Sequence, residues 1–281
     1  MRTLRNKVAA ITGAGSGIGR AVALLLAQHG CHVAISDVAQ EGLGETGRLC
    51  RERGVKVSVT LVDVAERAAV EAWAAQVRAE LGAVHVIVNN AGVALGATVE
   101  DTSYEDFTWL MNINVWGVVH GTRAFLPLLR EAGEGHVINL SSVFGLVSVP
   151  SQSAYNAAKF AVKGFSDSLR QELEIEGVAI GVTTVHPGGI KTNIARAART
   201  VMRDGFIDGE SRSDFEKLFS TTAERAAQDI VQAILKNRRR QLIGHDARAI
   251  DLLQRALPSL YQRLVVAGGK RRRRAMLEKR P

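Results

Sequence analysis

The chain has 281 residues, of which 46% are hydrophobic and 23% are charged. This composition is typical of a globular domain that can bury a sizeable core, and it excludes disordered, collagen-like and disulfide-stapled chains. The formal net charge of +8 is unevenly distributed, because residues 263–281 hold eight basic side chains and one acidic one, a net of +7, which leaves +1 for the preceding 262 residues.

The basic end is interpreted as a tail of about 268–281 that follows a hinge at Gly268 and Gly269. Its arginines are not interleaved with aromatic residues, so they lack a platform on which bases could stack, and nucleic acid is disfavoured as a partner. A solvated or interface-forming tail is the favoured interpretation. Contact with an anionic membrane or with nucleic acid is the alternative.

The N-terminal residues do not have the pattern of a signal peptide, and no segment is expected to span a membrane. The first seven residues are basic but are followed by a short apolar run and glycines, not by the apolar region and cleavage site of a signal peptide. No apolar run approaches the about 20 residues of a membrane-spanning helix. Cys31 and Cys50 lack CxxC spacing and a nearby histidine. We therefore expect a cytoplasmic protein with no membrane span, two buried thiols and no metal site.

Short apolar runs alternate with longer segments of helical periodicity, without repeats or a linker. This order predicts an α/β fold, a single Rossmann-type domain in which helices cover both faces of a doubly wound parallel sheet of about seven strands. The predicted strands are 8–12, 33–36, 55–62, 84–88, 136–140, 179–185 and 241–243. The predicted helices are 18–29, 41–53, 66–81, 104–130, 153–174, 224–236 and 246–266. Residues 193–222 lack a strand pattern and are predicted to form a lid insertion above the sheet.

A glycine cluster follows the first strand and opens the first helix. The spacing is GxxxGxG, and glycines there let the backbone approach a phosphate at a helix N-terminus, where free amides and a partial positive charge would bind it. The turn thus predicts a dinucleotide site. Its predicted contacts are Gly13, Ser16, Gly17, Ile18 and Gly19.

Asp37 closes the second strand, where a carboxylate can accept hydrogen bonds from the adenosine ribose. It would repel a 2'-phosphate, and no arginine or lysine occupies Ser16, Ser36 or Val38, so NAD is favoured over NADP. The alternative is an ordinary turn or capping acid.

Further cofactor contacts are expected after the third and fourth strands, at the edge where such sheets bind ligands. Asp63, beside Val64, could hold the adenine amino group, although a solvated turn acid is nearly as good an interpretation. Asn90, Ala91 and Gly92 could touch the cofactor, and the amide there could equally satisfy strand ends.

Tyr155 and Lys159 lie four residues apart, on one face of a predicted helix. A tyrosine with a reference pKa near 10 needs a drop of about 3 units to act as a base near pH 7, and a nearby ammonium supplies about 1 to 3 units. Ser142 ends the fifth strand, and its hydroxyl could hold a substrate carbonyl against Tyr155, or could simply be a turn residue. No histidine is placed to make Ser142 an acyl-transfer nucleophile. Asn114 interrupts the longest apolar helical pattern, so its buried amide needs partners.

These motifs, with Pro187-Gly188, occur in one order over about 7–192, and the chain resembles the short-chain dehydrogenase/reductase family. The resemblance implies a catalytic tetrad of Asn114, Ser142, Tyr155 and Lys159. Ser142 would polarise the carbonyl, Tyr155 would be the acid/base, Lys159 would lower the pKa of Tyr155 and grip the ribose, and Asn114 would position a water. The nicotinamide end would be lined by Pro187, Gly188, Ile190 and Thr192. The resemblance also implies a homotetramer or homodimer built on the helices 104–130 and 153–174.

The substrate is expected beneath the lid, against apolar side chains that suit a fairly bulky alcohol or ketone. Those side chains are Leu95, Val143, Phe144, Leu146, Val149, Met202 and Phe206, which could equally only pack the lid. On the lid, Arg196, Arg199 and Arg203 could clamp an acidic group such as the phosphates of a CoA thioester, but a solvated helix face is favoured.

Three functions remain open at this point. The leading one is an NAD-dependent secondary-alcohol dehydrogenase or ketone reductase. The second is a 3-oxoacyl thioester reductase, which would prefer NADPH and is disfavoured by Asp37 and the long insertion. The third is a nonenzymatic dinucleotide-sensing regulator. The intact tetrad disfavours it, because a sensor would need the dinucleotide site but not Tyr155.

Overall fold

A computed structural model describes residues 1, 3–191, 194, 197–201 and 221–278. Seven parallel strands form its central sheet in the order β3-β2-β1-β4-β6-β7-β9, as predicted. The strands are β1 Val8–Thr12, β2 His32–Asp37, β3 Val57–Leu61, β4 Val86–Asn89, β5 Leu95–Gly96, β6 Gly135–Leu140, β7 Ile180–Pro187, β8 Arg199–Thr200 and β9 Arg240–Ile243. The α-helices are α1 Gly17–Gln28, α2 Gln40–Arg51, α3 Arg67–Leu81, α4 Tyr104–Met111, α5 Gly117–Glu131, α6 Ser153–Ile175, α7 Ala223–Leu235, α8 His245–Ala256 and α9 Leu260–Glu278.

The sheet is covered on both faces because its strands carry apolar side chains on both sides. One cluster packs α1, α2 and α7 on the sheet, with Leu26, Leu43 and Ile230 buried in it. The other packs α3, α5 and α6, with Trp73 and Phe125 in edge-to-face contact. The strand order reverses between β1 and β4, so the crevice at their carboxyl ends is the switch point where such sheets bind ligands.

The helix predicted over 104–130 is interrupted. A π-helical turn, Asn112–Trp116, separates α4 from α5. At its centre, buried Asn114 accepts a hydrogen bond through Oδ1 from the Val93 N–H (2.8 Å) and donates through Nδ2 to the Val93 carbonyl (2.9 Å). These two bonds join the amide to the backbone of the segment between β4 and β5.

Two predictions about the C-terminal part were wrong. The single helix predicted over 246–266 is two helices, α8 and α9, and Pro258 lies in the break because proline disfavours helical backbone in the residue before it. Gly268 and Gly269 do not form a hinge, since α9 runs through both of them. Within the described ranges, no helix combines the length and apolar character needed to cross a membrane.

The predicted lid contains a strand that its sequence does not suggest. Strand β8 pairs in parallel with β5, and the Arg199 N–H donates to the Ala94 carbonyl (3.1 Å). Arg199 does not sit on a solvated helix face: its guanidinium stacks 3.7 Å from the Trp109 ring centroid and pairs with Asp106. Met202 and Phe206, like Thr192, Arg196 and Arg203, lie outside the described residues.

Candidate active site

The glycine turn is closed against the end of β4. Gly13 adopts a φ of 64°, and a Cβ there would lie 2.8 Å from the Ala91 Cα. A Cβ at Gly19 would lie 2.5 Å from Asn90 Nδ2 and would collide with the Gly13 carbonyl oxygen. Only glycine therefore allows the backbone to pack this closely at these positions.

The N-terminus of α1 points out of this turn. Ser16 is its extended N-cap, its side chain makes no capping hydrogen bond, and the first turn has no acidic residue. The first N–H groups of the helix and its positive dipole end are thus available to an anion. Ser16 is exposed and Gly17 has a φ of 52°, whereas Ile18 packs against the core.

Asp37 joins the glycine turn to the end of β2. Its Oδ2 accepts from the Gly15 N–H (2.8 Å), and its Oδ1 accepts from the Ala39 N–H (2.9 Å). Arg20, which sequence reasoning missed, donates to Thr46 Oγ1 (2.9 Å) and the Gly42 carbonyl (3.1 Å), and also to the Gly15 carbonyl. The position of Arg20 directly after Gly19, the last glycine of the turn, is the sequence feature that could have indicated this role.

Asn90 supports the turn through its amide. Its Nδ2 donates to the carbonyls of Thr12 (2.9 Å) and Gly13 (3.0 Å). The Thr12 hydroxyl in turn accepts from the N–H groups of Asn90 (3.0 Å) and Ala91 (3.1 Å). The Asn90 amide therefore binds strand ends, the structural alternative left open above, and Thr12 is a supporting residue that sequence reasoning missed.

Asp63 and Val64 lie at the neighbouring edge, after β3. Asp63 Oδ1 accepts from the Ala65 N–H (2.9 Å), which is the bonding of a turn acid. Val64 is buried, and a Cβ on Gly117 would lie 2.7 Å from its Cγ2. This contact fixes the start of α5 against the end of β3.

The four tetrad residues come from three different elements. Tyr155 and Lys159 lie on α6, Ser142 follows β6, and Asn114 lies in the π-helical turn. Lys159 Nζ is buried, donates to the Leu140 carbonyl (3.0 Å) and lies 5.4 Å from the Tyr155 ring centroid. Gly92 lies close to both Asn114 and Lys159, since a Cβ on this glycine would be 3.1 Å from Asn114 Oδ1 and 3.6 Å from Lys159 Nζ.

Ser142 connects the tyrosine to the sheet. Its hydroxyl accepts from the Phe144 N–H (3.1 Å), and its side chain lies close enough to Tyr155 to favour a lower pKa of the phenol. Its carbonyl accepts from His186 Nδ1 (2.9 Å), so the proton of this imidazole is on Nδ1. His186 is buried on β7 and was missed because a histidine in an apolar strand carries no distinctive spacing.

Burial has the largest effect on the pKa of both groups in the protein alone. It raises the pKa of Tyr155 to about 12, although the neighbouring Ser142 side chain opposes this shift. Burial also lowers the pKa of Lys159 to about 8. Desolvation therefore sets both pKa values in the protein alone, and the effect of Lys159 on Tyr155 in the filled site stays a prediction.

The loop after β7 faces the same edge. Pro187 pairs with Ile243, and a Cβ on Gly188 would collide with Asp246. Asp246 Oδ2 accepts from the Gly189 N–H (2.6 Å), and buried Ile190 pairs with Thr221. Asp246, on α8, thus anchors this loop, a role that sequence reasoning missed.

The described substrate-lining candidates lie either in the loop that follows Ser142 or, in the case of Leu95, on β5. Phe144 packs edge-to-face on Tyr155 at 6.2 Å between ring centroids, and Val143 and Leu146 are buried in the same loop. Leu95 belongs to a buried cluster on which Tyr155 packs. Val149 is half-buried, and its carbonyl accepts from Asn156 Nδ2 (3.0 Å).

Tyr261 is a further support of this loop that sequence reasoning missed. It is buried at the start of α9, and its hydroxyl oxygen accepts from the Ser148 N–H (3.3 Å). The C-terminal helix is thereby attached to the loop that begins at Ser142.

Comparison with known proteins agrees with this fold. The short chain dehydrogenase profile matches residues 7–202. The protein SadH of Mycobacterium tuberculosis is 46% identical over 273 residues, which are 95% of this chain and 97% of that protein. A short chain dehydrogenase/reductase from Burkholderia phymatum, solved in complex with NAD, is 32% identical, with a TM-score of 0.84 over 93% of this chain and 97% of its own. An NAD-bound short chain dehydrogenase from Mycobacterium paratuberculosis is 25% identical, with a TM-score of 0.76 over 87% of this chain and 98% of its own. This chain belongs to the short-chain dehydrogenase/reductase family and is an oxidoreductase of that family.

Proposed function

We propose that this protein interconverts a secondary alcohol and a ketone with a nicotinamide dinucleotide as cofactor, and that its substrate is fairly bulky and apolar. The observation that carries the proposal is the placement of buried Lys159 5.4 Å from the Tyr155 ring centroid, with Ser142 beside this tyrosine, at the carboxyl edge of the sheet. A panel of secondary alcohols and ketones, followed by nicotinamide absorbance with NAD and with NADP, tests it. Absence of turnover across both cofactors and the whole panel would contradict it.

The described residues fit a dinucleotide. The turn at Gly13, Gly17 and Gly19 leaves no room for a Cβ at its closest approaches and presents the free N-terminus of α1 to a pyrophosphate. Two of the structural neighbours are NAD-bound, which supports the same class of cofactor. When bound, the nicotinamide accepts or supplies the hydride, and the protein's residues orient it and move the proton.

Each tetrad residue has a distinct proposed task. Ser142 donates a hydrogen bond to the substrate oxygen and holds it beside the Tyr155 hydroxyl, which gives a proton to that oxygen in reduction and takes it back in oxidation. Lys159 holds the ribose and keeps a positive charge near the phenol once the site is filled. Asn114 orders a water that passes protons to Lys159. Pro187, Gly188 and Ile190 line the nicotinamide end.

NAD is the proposed dinucleotide because of Asp37. Its carboxylate stands at the proposed ribose position, where it bonds to the Gly15 N–H. The guanidinium of Arg20, which also bonds to Gly15, is already bound to Thr46 and to backbone carbonyls. A 2'-phosphate would therefore meet an anion, and this cation would not be available to compensate for it.

An Asp37→Asn variant tests the cofactor choice. The amide keeps the shape and one acceptor oxygen but loses the charge, so we expect the ratio of kcat/KM for NADP to that for NAD to rise about 10- to 100-fold, with each tenfold step worth about 1.4 kcal/mol. The matched control is Asp63→Asn, another carboxylate at the same edge, which should leave the ratio unchanged. A ratio unaffected by Asp37→Asn would remove the electrostatic basis of the proposed preference.

The proton chemistry is testable without turnover, because the chain has three tyrosines. The pKa of Tyr155 is about 12 in the protein alone, so its phenol should stay protonated until well above pH 10 in a near-ultraviolet tyrosinate titration. Bound NAD should lower that pKa by about 1 to 3 units, since its positive ring would favour the phenolate. Subtracting the titration curve of the Tyr155→Phe variant removes the contributions of Tyr104 and Tyr261 to the absorbance. An NAD-independent difference curve would count against the mechanism.

The oxoacyl-thioester alternative gains no support from the described arginine of the lid. Arg199 is engaged by Trp109 and Asp106, so it is not an available clamp for phosphates.

We also propose a homo-oligomer built on α4, α5 and α6, because Tyr104, Trp116 and Phe160 are large apolar side chains exposed on these elements and their junction.

A further inference from the structure

The C-terminal helix α9 is attached to the body at its start. Tyr261 is buried there and Val265 is half-buried, whereas the other side chains described between positions 262 and 274 are exposed. The described part of the helix therefore leads away from the loop 142–149, which is the proposed substrate loop, with most of its side chains exposed.

The exposed surface of α9 changes in character along its length. Leu260, Leu264 and Val266 are apolar and exposed, with Leu264 at 55% and Val266 at 50%. The next turns carry exposed Lys270, Arg271, Arg273 and Arg274. Leu260, Leu264 and Arg271 are spaced to lie on one side of the helix, so that side presents leucines followed by a cation.

This helix is poorly stabilised by its own residues. Two interior glycines cost about 1 kcal/mol each relative to alanine, and like charges four apart, as in Lys270 and Arg274, repel each other. An anionic surface would relieve that repulsion, while the leucines would enter an apolar layer beneath the anions. The rest of the chain is nearly neutral, with a net charge of +1 over its first 262 residues, so it would not oppose such contact.

We propose that α9 docks this protein on an anionic lipid bilayer, with its leucines in the interface and its cations on the lipid headgroups. The exposed leucines favour a bilayer over nucleic acid, which would have no use for them, and the described basic stretch has no aromatic side chain on which bases could stack. A second copy of the helix would bring two sets of cations together. Since Tyr261 joins α9 to the substrate loop, docking would place that loop near the membrane.

The test is co-sedimentation of the full-length protein with phosphatidylglycerol–phosphatidylcholine vesicles and with pure phosphatidylcholine vesicles. We expect binding to the anionic vesicles that weakens with salt, and much weaker binding to the neutral ones. The triple variant Lys270→Glu, Arg271→Glu, Arg274→Glu should bind the anionic vesicles at least about a hundredfold more weakly, at about 1 kcal/mol for each cation lost or more. Leu260→Ser with Leu264→Ser should weaken binding by about tenfold or more.

The matched control reverses three exposed cations elsewhere, at Arg51, Arg53 and Lys56, and should leave vesicle binding close to that of the unaltered protein. Thermal melting checks that every variant is folded. The proposal is overturned if the unaltered protein ignores anionic vesicles, binds neutral ones equally well, or binds duplex DNA but not vesicles. It is also overturned if the control weakens binding as much as the triple variant, because a general charge effect would then explain the result.

Discussion

Replacement of Tyr155 by phenylalanine is expected to abolish nearly all turnover while the protein stays folded and keeps its cofactor. The ring would still pack against Phe144 and the cluster around Leu95, so the loss is confined to one hydroxyl. A positioned acid/base contributes about 10²- to 10⁴-fold, and we expect kcat to fall by about a thousandfold. The measurement is kcat with the best alcohol of the panel, together with the dissociation constant for NADH.

The control for this variant is Tyr261→Phe. It removes another buried hydroxyl, one that accepts from Ser148 in the substrate loop, without touching the tetrad. It should change KM more than kcat. If Tyr155→Phe kept a tenth of the normal kcat, a different group would have to move the proton, although the dinucleotide site would be unaffected.

Replacement of Lys159 by methionine is expected to have the second-largest effect. Methionine fills a similar volume in the buried site, so loss of the ammonium is the main change, apart from the hydrogen bond to the Leu140 carbonyl. If the ammonium lowers the phenol pKa by about 1 to 3 units in the filled site, its removal should cost about 10- to 1,000-fold in kcat near neutral pH.

The pH profile separates this role from a structural one. In alcohol oxidation, where the phenol acts as the base, the methionine variant should regain activity as the pH rises, because hydroxide in solution replaces the missing charge effect by deprotonating the phenol. In the unaltered protein without cofactor, the pKa of Lys159 is about 8, so the ammonium is mostly present at neutral pH. A uniform loss of kcat at every pH, accompanied by a lowered melting temperature, would mean that the lysine serves mainly to hold β6 and α6 together.

The strand and helix order could be predicted because it depends on local periodicity. Strands buried on both faces must be apolar throughout, as in β1 and β6, and helices beside them must carry one apolar face, so the alternation is visible in the sequence. The glycine turn was also predictable, because the GxxxGxG spacing is visible in the sequence. The structure gives the reason for two of these glycines, since the neighbours of Gly13 and Gly19 leave no space for a Cβ. Pro258 was a visible signal for the break between α8 and α9, which periodicity alone concealed.

The positions of the tetrad were predictable, but its electrostatics were not. Spacing on α6 puts Tyr155 and Lys159 on one face because a helix repeats every 3.6 residues. The sequence thus determined the doubly wound sheet, the glycine turn and which side chains stand together at its edge. Only the tertiary structure decided the π-helical turn and the raised pKa of the phenol. In that turn, the side chain of Asn114 accepts a hydrogen bond from Val93, which belongs to a distant segment. The reason is that desolvation sums over every group packed around an ionisable side chain, and those groups come from elements far apart in the chain.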